Sequence, residues 1–587
     1  MSDNTLKSEK GFSVVLMLLV VLAATIRISI ALHDAPTLVT KTLSDDAFYY
    51  FQIARNAAAG NGVTFDGVEP ANGFHPLWLA LLVPVYLLFG KGITQPLHAA
   101  LAFEALLDVG AGFLIYLLVK ELTKNRFAGI AGAAVYLLNP SVIFHSVNGL
   151  ETGLNLFCFV LLFWFYLRML NEDNFSARNL LLLGALSGVL MLARTDNVIV
   201  VAVVYLHLFL FRVLRKSVDG ERMNPPSPPL QKGGKEGDFA QGGAGQKDVG
   251  RGGTAEKDLA KAGEGGFGSW KGSLLLLFAS CALCALVVSP WVIWNLLTFG
   301  SIEQSSGSAY SIITRGNLRA SGVTGLQIFL TSLSNTVRLF VWTIPTDVFG
   351  WGKIVGVIAG LAAGMTLVDE NKAKRVWKAA RLACLPLLAF VALALTHALI
   401  RGTLKSWYFM PAAAVGAIFF GIFCGAFDLP SLMSKARERL VVALLAALIL
   451  SGYALNGWTG WNKGFYPWQS EQLLAAQWLK EHVSDDVRIG SFNAGIIGYM
   501  SERKVVNLDG LANNAVVPYL QERRLWDYID KRNITYLVDS DYSILKDYRD
   551  FYGSGWKPGE RLIKVAVIDD PRVSWAGANV GVYRVIP

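Results

Sequence analysis

Charge is scarce in this chain. Only 17% of its 587 residues are Asp, Glu, Lys or Arg, while 53% are hydrophobic, a balance that excludes an ordinary soluble globule, where about a quarter of residues are charged. Cysteine is scarcer still. The five present, Cys158, Cys281, Cys284, Cys384 and Cys424, all lie inside or at the edge of apolar runs, and the polar C-terminal stretch has none, which argues against a disulfide framework. Cys281 and Cys284 spell C-x-x-C, but inside an apolar helix such neighbours read as packing residues rather than a redox or zinc pair. No internal repeat relates two halves of the chain, as a transporter built from repeats would require. The net charge of +9 is not a nucleic-acid signal, because the Lys and Arg residues cluster between apolar runs, where they set topology.

What the chain has in abundance is membrane-length apolar sequence. Runs near 12–32, 95–119, 127–146, 152–168, 179–193, 197–214, 272–298, 351–367, 382–399, 407–427 and 438–455 predict a polytopic α-helical membrane protein with about eleven transmembrane helices. With the N-terminus inside, Lys120, Lys124, Arg126, Arg168, Arg178, Arg215, Lys216 and the clusters 372–381 and 435–439 all fall on the cytoplasmic side, as the positive-inside rule expects. Residues 12–32 could pass for a signal peptide, but their length and Arg27 favour an uncleaved anchor. The assignment requires that His75–Phe89, interrupted by Pro84, and 323–345, with Asn335, Arg338 and Pro345, be re-entrant or interfacial segments.

The same parity divides the chain into an N-terminal transmembrane module (1–218) with its first external loop at 33–94, an insertion (219–270), a second transmembrane module (271–455) and an extracytoplasmic α/β domain (456–587). The insertion is rich in Pro, Gly and Lys, cannot bury enough apolar surface to order itself, and is expected to be disordered and cytoplasmic. Beyond 467, helix-like pieces alternate with short apolar strands at 487–490, 504–508, 534–538, 562–568 and 580–585. Asp539-Ser-Asp541 spells D-x-D, but after a strand in such a domain it reads as a turn.

The adjacent pair Asp45-Asp46, in Leu43-Ser-Asp-Asp-Ala-Phe-Tyr-Tyr-Phe51, stands just past the first apolar run. A charge near hydrocarbon costs about 2.5 to 3.5 kcal/mol even on insertion scales, so the pair is a functional candidate. Neighbouring carboxylates push their pKa values apart, which suits a general base, while the bland alternative is two acids in the first turn of a helix. Parity brings further polar groups to the same face. Glu151, in Gly149-Leu-Glu-Thr152, can orient an acceptor or complete a Mg²⁺ or Mn²⁺ site with Asp45, or simply cap a helix. His75, Arg401 and Lys405 are candidates for substrate binding, the two cations for phosphate oxygens. Tyr49, Tyr50 and Tyr408 are candidates for the floor under a sugar. Arg194 and Asp196 read mainly as a mutual pair.

In these motifs, together with Gly60-Asn-Gly-Val-Thr-Phe65, Asn72-Gly-Phe-His-Pro-Leu-Trp78, Pro290 to Gly300, Gly495-Ile-Ile-Gly-Tyr499 and Val506-Asn-Leu-Asp-Gly-Leu511, the chain resembles GT-C-fold glycosyltransferases that use polyprenyl-phosphate sugars. It is similar to the mannosyl- and arabinofuranosyltransferase group, and more distantly to the aminoarabinose transferase and the oligosaccharyltransferase catalytic subunit. The resemblance implies an external active site in the cytoplasmic membrane, with Asp45, Asp46 and Glu151 catalytic. It also implies a polyprenyl-phosphate sugar donor; with one acid of the pair as base for a hydroxyl of a glycan, lipid or protein acceptor, a single displacement predicts inversion. Where the family often has Asp-Leu-x-Gly-Leu, this chain has Asn507-Leu-Asp-Gly-Leu511, so that segment is expected to take no catalytic part.

Overall fold

The computed structural model describes residues 3–90, 92–214, 270–320, 322, 325–348, 370–401, 405–425, 436–554, 559–573 and 579–586. The insertion expected over 219–270, Trp270 excepted, and the crossing expected over 351–367 lie outside the described residues. The N-terminal half runs α1 (Asp3–Ala31), α2 (Ala35–Lys41), α3 (Asp45–Ala58), α4 (Pro76–Phe89), α5 (Thr94–Thr123), α6 (Arg126–Leu137), α7 (Pro140–His145), α8 (Thr152–Glu172), α9 (Ala177–Ala193) and α10 (Val198–Leu208). After the insertion come α11 (Trp270–Phe299), α12 (Ser305–Ala320), α13 (Gly325–Arg338), α14 (Glu370–Arg401), α15 (Pro411–Cys424) and α16 (Ala436–Lys463). The protein is an integral membrane protein: among the described residues six helices are long and apolar enough to cross a bilayer, and Pro76–Phe89, Arg126–Leu137, Ala177–Ala193 and Thr195–Phe211 are shorter apolar helices.

The run expected to cross over 127–146 is broken in two, for a local reason. Asn139 leaves the helix and its side chain accepts from the backbone N–H of Ser141 and Val142 at 2.9 and 3.4 Å, starting α7 at Pro140, where a missing N–H costs nothing. The interior of the bundle also carries charge. Arg27 on α1 is fully buried and pairs with Asp108 on α5 at 2.9 Å, while its Nη1 reaches the Leu137 carbonyl and Tyr136 donates to the other Asp108 oxygen at 2.6 Å. A pair so satisfied is the form in which intramembrane charge is tolerated.

The C-terminal unit is a five-stranded mixed sheet of order β2-β1-β3-β5-β4, with β1 (Arg488–Ser491), β2 (Lys504–Asn507), β3 (Ile534–Ser540), β4 (Leu562–Ile568) and β5 (Val580–Val585). Strands β2, β1 and β3 are parallel, and β5 pairs antiparallel with both β3 and β4. Helix α17 (Gln469–His482) precedes β1, and α18 (Ala494–Ser501) connects β1 to β2. Since β1 has partners on both sides, the carboxyl ends of β1 and β3 form the crevice where such sheets generally receive ligands. Here α3 fills it.

The seam between α3 and the sheet unit is made of hydrogen bonds from both sides. Gln469 accepts from the Asp45 N–H at 2.9 Å and donates to the Val39 and Leu43 carbonyls at 2.7 Å each. The Tyr49 hydroxyl donates to the Phe492 carbonyl at 3.2 Å and accepts from the Ala494 N–H at 3.1 Å. Asn72 binds Asn295 and the Glu303 carbonyl through its amide, and accepts from the Ser305 N–H and Asn514, joining three segments. Two glycines permit this approach. A Cβ at Gly73 would lie 1.6 Å from the Leu511 carbonyl oxygen, and one at Gly495 would lie 2.2 Å from that of Asp45.

Gly495→Ala should therefore unseat α3 from the sheet unit, with a loss of about 1 to 3 kcal/mol, the usual cost of overpacking. Thermal unfolding of the detergent-solubilised protein checks this, and an unchanged Tm would show that the seam yields freely.

Candidate functional site

The chain enters the site at the N-terminus of α3. Ser44 takes the extended N-cap conformation and the helix starts at Asp45, so both carboxylates fall in its first turn. Successive residues of a helix point about 100° apart, and the two acids therefore have different surroundings. Asp45 turns toward the sheet unit, where its Oδ1 accepts the Ile496 N–H at 2.7 Å in the first turn of α18. Burial raises its carboxyl to about 7, with Asp46 and Asp539 adding to the rise and the Ile496 hydrogen bond opposing it. Asp46 turns toward the bundle. Burial raises its carboxyl too; the Lys405 ammonium pulls it down and Glu151 pushes it up.

Glu151 occupies the turn before α8, and that turn is built around another buried acid. Glu104 on α5 accepts the backbone N–H of Gly149 at 3.0 Å and of Gly153 at 3.4 Å, and the Trp78 indole donates to the Gly149 carbonyl at 3.1 Å. Glu151 itself is 3% exposed, too deep to stand unpaired. Its Oε1 accepts Arg194 Nη1 at 2.7 Å, its Oε2 accepts the Tyr50 hydroxyl at 2.8 Å, and His75 Nε2 stands 3.6 Å from Oε1. The Thr195 N–H donates to His75 Nδ1 at 3.2 Å, so in the neutral ring the proton sits on Nε2, facing Glu151.

Arg194 extends the network. Its Nε and Nη2 grip Asp196 at 3.2 and 2.7 Å, and Asp196 Oδ2 lies 2.8 Å from His397 Nε2. His397 stacks on Tyr408 with ring centroids 4.7 Å apart, and the Arg194 guanidinium lies 4.6 Å from the same ring centre. The expected pairing of Arg194 with Asp196 is thus present, as one link of a chain that reaches Glu151. Lys405 is exposed, with its ammonium 5.5 Å from the Trp407 ring centre. The side chain of Arg401 lies outside the described residues.

Three expectations change. Tyr49 does not offer a floor for a sugar, because it is 6% exposed and its hydroxyl is spent on Phe492, Ala494 and Asn507. Asp45 and Glu151 do not fit a shared Mg²⁺ or Mn²⁺: one oxygen of Asp45 faces α18, both Glu151 oxygens are engaged by Arg194 and Tyr50, and no group of three His, Cys, Asp or Glu side chains is gathered for a metal among the described residues. The segment 507–511 does reach the acidic pair. Asp509 is 4% exposed, and burial followed by the charges of Asp46 and Asp45 holds its carboxyl well above the usual range.

Asn507, where the resemblance expects Asp, uses both ends of its amide. Its nitrogen donates to Tyr49 and the Phe492 carbonyl, and its oxygen accepts the N–H of Gly510 and Ala512. A carboxylate could supply only the second half. In the D-x-D sequence, Asp539 caps the start of α18 by accepting Phe492 and Asn493 N–H groups at 2.9 and 2.7 Å, and Asp541 binds Asn579 and Tyr583 at 2.8 and 2.6 Å. Both are structural.

Residues 70–223 match the family model of oligosaccharyl transferase STT3, N-terminal, and residues 464–583 match a domain of unknown function, DUF8728. No curated protein is significantly similar in sequence. Among solved structures, ArnT from Cupriavidus metallidurans bound to undecaprenyl phosphate aligns over 97% of this chain and 97% of its own, at 12% identity and a TM-score of 0.56. Its apo state aligns over 98% of both chains, at 13% identity and 0.53. The Archaeoglobus fulgidus oligosaccharyltransferase in the apo form aligns over 91% of this chain and 71% of its own, at 13% identity and 0.52. The chain thus carries an STT3-type segment that begins within its first loop, and it shares the fold of ArnT and of the Archaeoglobus fulgidus oligosaccharyltransferase along nearly its whole length.

Proposed function

We propose that the protein transfers a sugar from a polyprenyl-phosphate donor to an acceptor hydroxyl, with Asp46 as general base. The observation that carries this reading is the division of labour within the acidic pair. Both acids are half-buried, but Asp45 is held by α18, whereas Asp46 faces the bundle and lies under the influence of Lys405 and Glu151. The Asp46 carboxylate takes the acceptor proton as the acceptor oxygen attacks the anomeric carbon. The bond from that carbon to the phosphate oxygen breaks, and its electron pair leaves on the lipid phosphate, inverting the anomeric centre. Lys405 is suited to neutralise the departing phosphate, as is Arg401 from its position in the sequence. Glu151, with Tyr50, His75, Arg194 and Tyr408 around it, orients this arrangement. No step requires a metal held between Asp45 and Glu151.

The ArnT structure holds undecaprenyl phosphate, which supports the lipid donor. The cationic loops favour about eleven crossings, with the site and the sheet unit on the extracytoplasmic face of the cytoplasmic membrane. The acceptor is an envelope glycan, lipid or protein. A solute or lipid transporter, the competing reading of so apolar a chain, is not favoured by a GT-C fold.

Transfer from radiolabelled polyprenyl-phosphate sugars into a membrane extract should fall about 10² to 10⁴-fold in Asp46→Asn, the usual contribution of a general base, and less than tenfold in Asp45→Asn. Full activity in Asp46→Asn, or retention at the anomeric carbon, would refute the mechanism. The pH profile supplies a second check. Activity requires ionised Asp46, so it rises with pH through that group's titration; Lys405→Met removes the cation that favours ionisation and should move the acidic limb to higher pH, whereas Glu151→Gln removes a repelling charge and should move it lower.

A further inference from the structure

Helix α3 presents different residues on its two sides. Asp46 and Tyr50 face the bundle, while Gln52, Arg55 and Asn56 line a separate cleft of about 590 Å³ closed on its other side by the sheet unit. That volume lies within the range of ligand clefts, about 300 to 1,000 Å³. The cleft is held open by a dedicated clamp. Arg532 pairs with both Asp66 and Glu69, Asp66 Oδ1 accepts the N–H of Val68 and Glu69 at 2.9 and 2.8 Å, and Asn56 holds the Thr64 and Phe65 carbonyls at 2.9 Å each. The loop between α3 and α4 is thus fixed as a rim rather than collapsed onto α3.

The lining is cationic, with Arg55, Arg488, Arg503, Lys504 and Arg532 against Asp66, Asp485 and Glu502. The three acids are already taken: Asp66 by Arg532, Asp485 by Arg503 at 2.5 Å and Glu502 by Lys480. Arg55 lies 4.6 Å above the Tyr499 ring and bonds Gln52, and Arg488 donates to the Arg532 carbonyl at 2.9 Å. Neither has a carboxylate partner among the described residues. Two guanidiniums positioned by neutral partners, with further N–H donors to spare, form a receptor for a carboxylate or phosphate; the neighbouring amides of Gln52 and Asn61 suit sugar hydroxyls.

We infer that this cleft binds an anionic saccharide, a uronate or phosphorylated sugar unit of the acceptor, at a distance from the reacting centre. The identification of that saccharide with the acceptor rests on the proposed transferase reaction; its binding does not. Equilibrium binding to the full-length protein in nanodiscs tests it with three probes: tri-galacturonic acid, mannose 6-phosphate and neutral maltotriose. At least one anionic probe should bind at least tenfold tighter than maltotriose; tri-galacturonic acid alone would identify uronate as the ligand, and mannose 6-phosphate alone a phosphorylated sugar. Arg55→Gln and Arg488→Gln should each weaken that binding about tenfold, while Asp46→Asn leaves it intact. Lys504→Gln, on an exposed strand position, provides a variant with little risk to folding and should weaken it less. Binding of maltotriose as tight as the anions, binding by neither anion, or undiminished binding in the Arg55→Gln/Arg488→Gln double variant would each overturn the inference. Loss of transfer in Asp46→Asn with binding retained would separate this site from the reaction.

Discussion

The structure depends on one close contact, the seating of the α3 N-terminus against the first turn of α18. Asp45 receives a backbone N–H there and Gly495 removes the Cβ that would block it. An open α/β sheet ordinarily leaves the crevice at its topological switch point free for a ligand. In this molecule a helix of the membrane module occupies it, and the sheet unit becomes a brace for the first loop. That brace fixes the direction in which Asp46 points, because the two acids share one rigid turn.

How much of this was legible in the sequence follows from the range of each interaction. The acidic pair, the Gly149–Thr152 turn, the five strands and most apolar helices are encoded locally, by residue type and periodicity, and they lie where the sequence suggests. Asp509, Gln469 and His397 are not legible, since each gains its meaning from residues hundreds of positions away. The Asn507 substitution did carry a signal: an amide in place of an expected acid points to a donor role. Tyr49 belongs to the seam rather than to a sugar floor, a distinction the sequence does not carry, because an aromatic on an amphipathic helix looks alike whether it lines a pocket or a seam. The metal pairing of Asp45 with Glu151 failed because sequence shows two acids on one face but not the arginine and tyrosine that already hold one of them.

Several of the costliest groups in the chain lie away from the acidic pair. Glu104 is buried in α5 to hold two backbone N–H groups of the Glu151 turn, and Arg27 and Asp108 cross-link α1, α5 and α6. Buried donors and acceptors are expensive when left unmade and rigid when fully satisfied. These groups trade stability in hydrocarbon for a fixed geometry at the end of the bundle where the acids stand.

The seam also has a temporal consequence. Asp45 and the backbone group that receives its carboxylate are 451 residues apart, so a ribosome adding about 5 to 20 residues per second needs roughly 20 to 90 s to deliver the second after the first. During that interval the acids of the first loop are unbraced and the crevice that will receive α3 is not yet synthesised. A nascent chain therefore carries Asp45 without its backbone partner until the sheet unit has been made and has folded against α3.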